Sequence, residues 1–357
     1  MAKSDVPGNP FEDRPLPPEE AGQIDEIADL TAKLQDMRYP PPARSLRGVH
    51  PKSHGCVRAF FEVRHDIPEH LRVGLFAQPG KRHRAWIRFS NAAVRVEHDL
   101  KDGKHGSRGM AVKVLDVAGE VLFKDGRRRN QDFLMINQPA FAFANAEDYL
   151  RLTQTIHRNN DDPTRFFAPL QVEVPGVSDA QKARIARTFG LVQRLQSVPV
   201  ANPLEVRYFG AAPFLFGADR VMRFSAEPWG GEKPQELPES PPEDYLREAL
   251  VKTMRRREDV CFDFKVQVRG KSEDLNIEDA STAWDEAETP YVNVAKITIP
   301  APQRHINGPK AIARCEALFF TPWHSLTAHQ PLGSINRLRK AVYLASRGHR
   351  AGGKKGW

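Results

Sequence analysis

Three side chains on one predicted helix could act together on a metal ion. The stretch RLRKAVYLASRGHR, residues 337–350, predicts a helix. At about 100° per residue, Arg339, Tyr343 and Arg350 fall within about 40° of one another, and Arg337 points to the other side. A guanidinium beside a phenol favours the phenolate, and a phenolate oxygen can coordinate a ferric ion. The alternative is a surface tyrosine among basic residues at a helix C-terminus, where positive charges are favourable.

Short motifs elsewhere in the chain resemble, in the same order, those of the haem catalases. The Arg-x-x-x-Tyr motif with a later arginine is similar to the helix that carries the tyrosinate iron ligand in that family. The other matching fragments are Arg47-Gly-Val-His50, FFEV at 60–63, Arg88-Phe89-Ser90, SRGMAVKV at 107–114, Asn137-Gln138-Pro139 and Glu316-x-x-x-Phe320-x-Pro322. The resemblance covers about residues 45–350.

The resemblance implies a bound haem b, which is ferric protoporphyrin IX. Tyr343 is then the metal ligand, and Arg339 supports its phenolate. Arg47, Arg88 and Arg350 match the arginines that hold the haem propionates, because guanidinium groups pair well with carboxylates that must be buried.

Peroxide cleavage needs a group that moves a proton between the two peroxide oxygens, and histidine is suited to that task. The resemblance assigns this role to His50. His54 lies four residues further on, and spacing alone does not choose between the two. A histidine with only a structural role is the alternative for either position.

Two uncharged polar residues complete the set of catalytic candidates. In the strand AWIRFSN, Arg88 and Ser90 share one face and two hydrophobic residues share the other, as expected if the polar face lines a pocket. The resemblance makes Ser90 the hydroxyl that orients the distal imidazole. Asn137 ends the strand DFLMIN and is the candidate for orienting the peroxide. A solvated strand face for Ser90, and a turn residue for Asn137, are the alternatives.

The elements that must position these residues form two groups of strands with helices between and after them. Alternating segments predict the strands VRAFFEV, RAWIRFSN, GMAVKVLD, EVLFK, DFLMIN, LEVRYFG, DRVMRFSAEP, CFDFKVQVRG and YVNVAKITI. Helical spacing predicts helices within residues 19–37, 146–158, 178–197, 247–259, 309–320 and 332–350. This order predicts an α+β protein built on a catalase-type antiparallel β-barrel with helical cover.

The chain divides into three parts on these patterns. Residues 1–40 are expected to be an N-terminal tail and helix, residues 41–350 the haem-binding barrel with its closing helices, and residues 351–357 a flexible tail. No C-terminal flavodoxin-like domain is expected, because the chain ends seven residues after Arg350.

Composition excludes several other classes of protein. The formal net charge is +8, but its basic runs carry acidic neighbours and lack a recognised nucleic-acid motif, so nucleic-acid binding is not expected. No apolar run is long enough to span a membrane. The three cysteines are widely separated, which favours a cytoplasmic protein without disulfides.

The resemblance therefore predicts a haem-dependent peroxidase with some catalase activity, similar to the small catalase-related proteins. Its expected partners are hydrogen peroxide or organic hydroperoxides and an organic electron donor, and a homodimer is left open. One alternative is a fatty-acid hydroperoxide isomerase or lyase, similar to allene oxide synthase. Another is a barrel that binds haem without turnover.

Overall fold

The architecture is that of a closed eight-stranded barrel covered by helices, in a computed structural model that describes residues 16–123, 128–229, 235–270 and 276–350. The strands are β1 Ser53–Val63, β2 Arg82–Asn91, β3 Arg108–Val114, β4 Gln131–Ile136, β5 Tyr208–Phe216, β6 Arg220–Pro228, β7 Val260–Gly270 and β8 Val292–Ile299. Each strand pairs antiparallel with the next, and β8 pairs with β1. The predicted antiparallel barrel is confirmed. All eight strands of the described residues belong to it, with no second sheet of the flavodoxin type.

Six α-helices in the described residues surround the barrel. They are α1 Pro18–Arg38, α2 Ala146–Arg158, α3 Asp179–Ser197, α4 Tyr245–Met254, α5 Pro309–Ala317 and α6 Ser334–Arg350. α1, α2 and α6 share a small core that includes Ile24, Ile27, Leu338 and Val342. None of the described helices combines the length and apolar composition that crossing a bilayer requires. The predicted tail at 351–357 and the first fifteen residues lie outside the described part of the chain.

Aromatic side chains fill the interior of the barrel. The ring centroids of Phe133 and Phe264 are 4.6 Å apart, and those of Phe61 and Phe264 are 5.1 Å apart. Phe61, Phe133 and Phe264 have no exposed surface. A barrel of this size is filled by its own side chains. A ligand site must therefore lie outside the barrel, between its wall and the helices.

Several of the predicted elements differ from the structure. The segment EVLFK is not a strand in its described part: Val121 forms a single bridge with Leu326. β3 and β4 are already paired on both sides, so the closed barrel offers no free edge to a further strand. The helix expected over 247–259 begins at Tyr245 and ends at Met254, and β7 follows at Val260.

The structure also joins Cys56 of β1 to Cys315 of α5 in a disulfide, with 5.5 Å between the two Cα atoms. The expectation that the chain contains no disulfide was wrong. The two residues are 259 positions apart, and only closure of the barrel brings α5 against β1. Cys261 is a buried free cysteine.

Candidate active site

A cavity of about 500 Å³ lies between the outer face of the barrel and the helices. β2, β3, β4 and β5 form its barrel side, and α1, α2, α3 and α6 cover it. Its size is typical of small-molecule sites. Seven of the eight residues selected from the sequence line it, namely Arg47, His50, Arg88, Ser90, Arg339, Tyr343 and Arg350.

His50 is held in place by contacts to its backbone and its ring. Its backbone lies in the left-handed region, with φ of 58°, its N–H donates to Ala93 O at 2.9 Å, and its carbonyl accepts from Arg88 Nη2 at 2.9 Å. Its Nδ1 lies 3.0 Å from Ser90 Oγ. A Cβ at position 109 would lie 2.6 Å from Cε1 and Nδ1 of the ring, so the imidazole fits only because Gly109 has no side chain.

The surroundings of His50 favour the neutral imidazole. Burial, together with the positive charges of Arg88, Arg339 and Arg47, lowers its pKa to about 3. This pKa is well below the near-neutral value that suits a proton-transfer group best. At neutral pH His50 is therefore available as a proton acceptor rather than as a proton donor.

His54 occupies a different environment. Its Nε2 lies 2.9 Å from Asn91 Oδ1, and Asn91 Nδ2 donates to Asp99 Oδ1 at 2.7 Å. His54 is buried and does not line the cavity. Of the two histidines that the sequence left in competition, the fold therefore places only His50 at the site.

The alternation of β2 positions the barrel side of the site. Ile87 and Phe89 are fully buried in the main core, whereas Arg88 and Ser90 point outward into the cavity. Successive side chains of a strand point to opposite faces, so one strand supplies both barrel core and cavity lining.

α6 supplies another wall. Arg339, Tyr343 and Arg350 line the cavity, whereas Arg337 points away and pairs with Glu20 and Glu278. The Arg339 guanidinium carbon lies 5.7 Å from the centroid of the Tyr343 ring, and Arg339 Nη1 donates to Asn336 Oδ1 at 3.2 Å.

Three arginines converge on Glu316, which directly follows the disulfide-bonded Cys315. The carboxylate pairs with Arg47 and with Arg88, and the backbone carbonyl accepts from Arg350 Nη1 at 3.0 Å. Burial raises the pKa of Glu316, but the charges of Arg88, Arg47 and Arg350 outweigh this effect and hold it below its usual value. Burial lowers the pKa of Arg88 to about 9 and that of Arg350 to about 10.

Asn137 is the one selected residue that does not line the cavity. Its Oδ1 accepts from the backbone N–H of Arg108 at 2.7 Å and from the Ser107 hydroxyl at 3.2 Å. These contacts fit the alternative of a turn residue at the end of a strand. The next residue, Gln138, is buried and lines the cavity, and its Oε1 has no hydrogen-bond partner among the described residues.

Gln138 and Glu316 were not predicted from the sequence to have a role at the site. Both lay inside the quoted motifs, Asn137-Gln138-Pro139 and Glu316-x-x-x-Phe320-x-Pro322. The sequence did offer one indication for Gln138, because its side-chain amide directly follows that of Asn137 and could have been considered for the same role. Nothing in the sequence marked Glu316 as the partner of arginines more than two hundred residues away.

Comparison with known proteins agrees with this architecture. A family model described as Catalase matches residues 41–171. Catalase C of Rhizobium meliloti (strain 1021) is 31% identical over 125 residues, which are 35% of this chain and 16% of that protein. The peroxisomal catalase of Toxoplasma gondii is 24% identical over 347 residues, which are 91% of this chain and 62% of that protein.

Solved structures of catalases share the fold. Catalase A from Saccharomyces cerevisiae has a TM-score of 0.65 at 17% identity, with 98% of this chain and 68% of that chain covered. A fungal catalase has a TM-score of 0.65 at 18% identity, with 95% and 64% covered. The chain thus spans less than two thirds of the length of the two curated relatives and about two thirds of these solved chains.

Proposed function

We propose that this chain is a member of the catalase superfamily, an oxidoreductase that binds haem b in the cavity and reduces hydrogen peroxide or organic hydroperoxides; the Catalase family model over residues 41–171 and the shared fold support this. Tyr343 would be the iron ligand. The observation that carries the proposal is that one cavity collects the His50–Ser90 pair, the Arg339–Tyr343 pair and a cluster of arginines.

The residues present fit a dianionic porphyrin. Three guanidinium groups contact Glu316, two at its carboxylate and that of Arg350 at its backbone carbonyl. The single carboxylate leaves an excess of two positive charges in this group, and protoporphyrin IX carries two propionates. Nε of Arg88 and Nε of Arg350 are buried and have no hydrogen-bond partner among the described residues. Such donors are costly unless an acceptor reaches them. Apolar residues that include Phe143 and Leu338 offer surface for the porphyrin faces.

His50 would move the proton. In the tautomer that leaves Nε2 free, Nδ1–H would donate to Ser90 Oγ, and Nε2 could take a proton from one peroxide oxygen and return it to the other. Haem, when bound, supplies the redox-active iron that takes part in breaking the O–O bond. Propionates on the arginine cluster would offset part of the positive charge that now lowers the pKa of His50.

The absorption spectrum of the purified protein with added haem tests this proposal. We expect wild-type protein to give a high-spin ferric spectrum, and Tyr343→Phe to change or abolish it, because phenylalanine offers no ligand atom. Tyr291→Phe is the matched control, since Tyr291 lies against Arg207 and does not line the cavity. Failure of wild-type protein to take up haem would overturn the proposal.

A second candidate is a hydroperoxide isomerase or lyase that acts on fatty-acid hydroperoxides and consumes no organic electron donor. Apolar residues from α2 and α3, among them Leu152, Ile156, Val192 and Leu195, line the cavity and favour an apolar substrate. Oxygen release from hydrogen peroxide and oxidation of an organic donor, measured beside dehydration of a lipid hydroperoxide, distinguish the two. If the protein is a barrel that binds haem without turnover, the substitution His50→Ala should leave every peroxide reaction unchanged.

A further inference from the structure

α5 is fastened to the barrel by very little apolar surface. Of its nine residues, Pro309–Ala317, only Cys315 is buried. A helix this short has little stability of its own and depends on tertiary attachment. Cys315 provides that attachment through its disulfide to Cys56 in β1, and the Ser53 hydroxyl lies 3.6 Å from its sulfur.

Glu316, the residue after this anchor, contacts all three arginines of the cluster. Its two carboxylate oxygens accept from Arg47 Nη1 and Arg88 Nη2, and its carbonyl accepts from Arg350 Nη1. The Glu316 and Arg47 side chains are 11% and 12% exposed, and that of Arg88 is 4% exposed. Little water reaches these groups, so Glu316 is their main counter-charge in the described part of the chain.

Building on the proposed function, we propose that Glu316 is the positioning residue of the arginine cluster and that the Cys56–Cys315 disulfide holds it in register. Without the carboxylate, three buried like charges would repel one another and turn away from the cavity. Without the disulfide, α5 would lose its buried attachment, and Glu316 would shift relative to Arg47 and Arg88. In both cases the arginines would still be present, but they would no longer converge on the two carboxylates of a porphyrin.

The test compares the dissociation of haem b with that of haem dimethyl ester, which lacks free carboxylates. Each is loaded into the full chain and then extracted by excess apomyoglobin. We expect Glu316→Gln and the double variant Cys56→Ser/Cys315→Ser to release haem b about tenfold faster than wild type, the effect of losing one hydrogen bond to a charged group. Release of the dimethyl ester should change by less than about twofold, because the effect acts through the carboxylates.

Two control variants test whether any lost carboxylate or cysteine weakens haem binding. Glu227→Gln removes a carboxylate of β6 that pairs with Lys265 and Arg207. Cys261→Ser removes the free cysteine of β7. Both should release haem b at the wild-type rate. The triple variant Glu316→Gln/Cys56→Ser/Cys315→Ser should release haem b no faster than Glu316→Gln alone, because both changes act on the position of the same arginines.

The outcomes separate the two proposals. Equal acceleration of haem b and its ester, or no acceleration of either, would overturn the role of Glu316 while leaving haem binding intact. Failure of wild-type protein to load either porphyrin would overturn the proposed function and this inference with it. If the cysteine variant does not fold, Glu316→Gln and wild-type protein reduced by a phosphine in its native state give the same comparison.

Discussion

Replacing Gly109 with alanine moves His50 without touching the other side of the cavity. A Cβ on Gly109 would lie 2.6 Å from two ring atoms of His50 and 3.0 Å from Ser90 Oγ. Ordinary contact begins at 3.4 Å, so the imidazole must move by about 0.8 Å. The strand cannot yield instead, because Gly109 is paired with Ser90 of β2 on one side and with Ile136 of β4 on the other.

A shift of this size should lower the rate of the reaction with peroxide and leave haem binding unchanged. Misplacing a reacting group by about 1 Å can lower a rate about 100-fold, which corresponds to about 2.7 kcal/mol of activation free energy. Tyr343 and Arg350 lie on α6 and keep their positions, so haem should still bind. We therefore expect Gly109→Ala to load haem normally and to react with peroxide about 100-fold more slowly than wild type.

Stopped-flow measurement of the reaction of haem-loaded protein with hydrogen peroxide gives this rate. Gly106→Ala is the control: residue 106 also lines the cavity, and a Cβ there meets only Arg108 Nη1, at 3.9 Å. A Gly109→Ala rate within about twofold of the control would refute the reasoning, because His50 would then not be the proton acceptor in the position described.

Three further predictions concern polar and titratable side chains. Burial lowers the pKa of His54 and of His329 to about 4, so below pH 6.5 these two histidines bind protons more readily in the unfolded chain than in the folded protein. The free energy of unfolding should therefore fall by about 3 kcal/mol for each histidine between pH 7 and pH 4. Urea titrations in which the free energy of unfolding does not fall over this range would contradict the prediction. Gln138→Ala should slow the peroxide reaction of haem-loaded protein by about tenfold, whereas Asn137→Ala should mainly lower the midpoint of thermal unfolding. If Asn137→Ala instead slows the peroxide reaction and Gln138→Ala does not, Asn137 is the peroxide-orienting residue. Ser90→Ala should keep haem and react with peroxide about tenfold more slowly, since the His50 imidazole loses its hydrogen bond to the Ser90 hydroxyl. An unchanged rate would show that the pair at 3.0 Å has no orienting role.

Local periodicity was enough to group some of the residues that line the cavity. In β2 the two-residue repeat separates Arg88 and Ser90 from the core-facing residues between them, and the structure has this division. In α6 the 3.6-residue repeat groups Arg339 with Tyr343 and turns Arg337 away. Such repeats depend only on backbone geometry, so neighbouring residues suffice to predict them.

Other features depend on which elements the closed barrel brings together. His50 and His54 lie four positions apart, and no local sequence feature distinguishes them. In the structure His50 contacts the Ser90 hydroxyl, whereas His54 contacts the Asn91 side chain. Asn137 lies in a matching motif, but the register of β4 against β3 turns its amide toward the backbone of Arg108.

The sequence by itself determined the class of fold, through the order of its strands and helices. It also determined the outward face of β2 and the stripe on α6, because each of these follows from the spacing of side chains along a single strand or helix. Tertiary structure alone decided that Cys56 meets Cys315, that Glu316 gathers three arginines and that Gly109 makes room for an imidazole. Those contacts join parts of the chain whose separation is set by barrel closure and helix packing, and no local pattern carries that information.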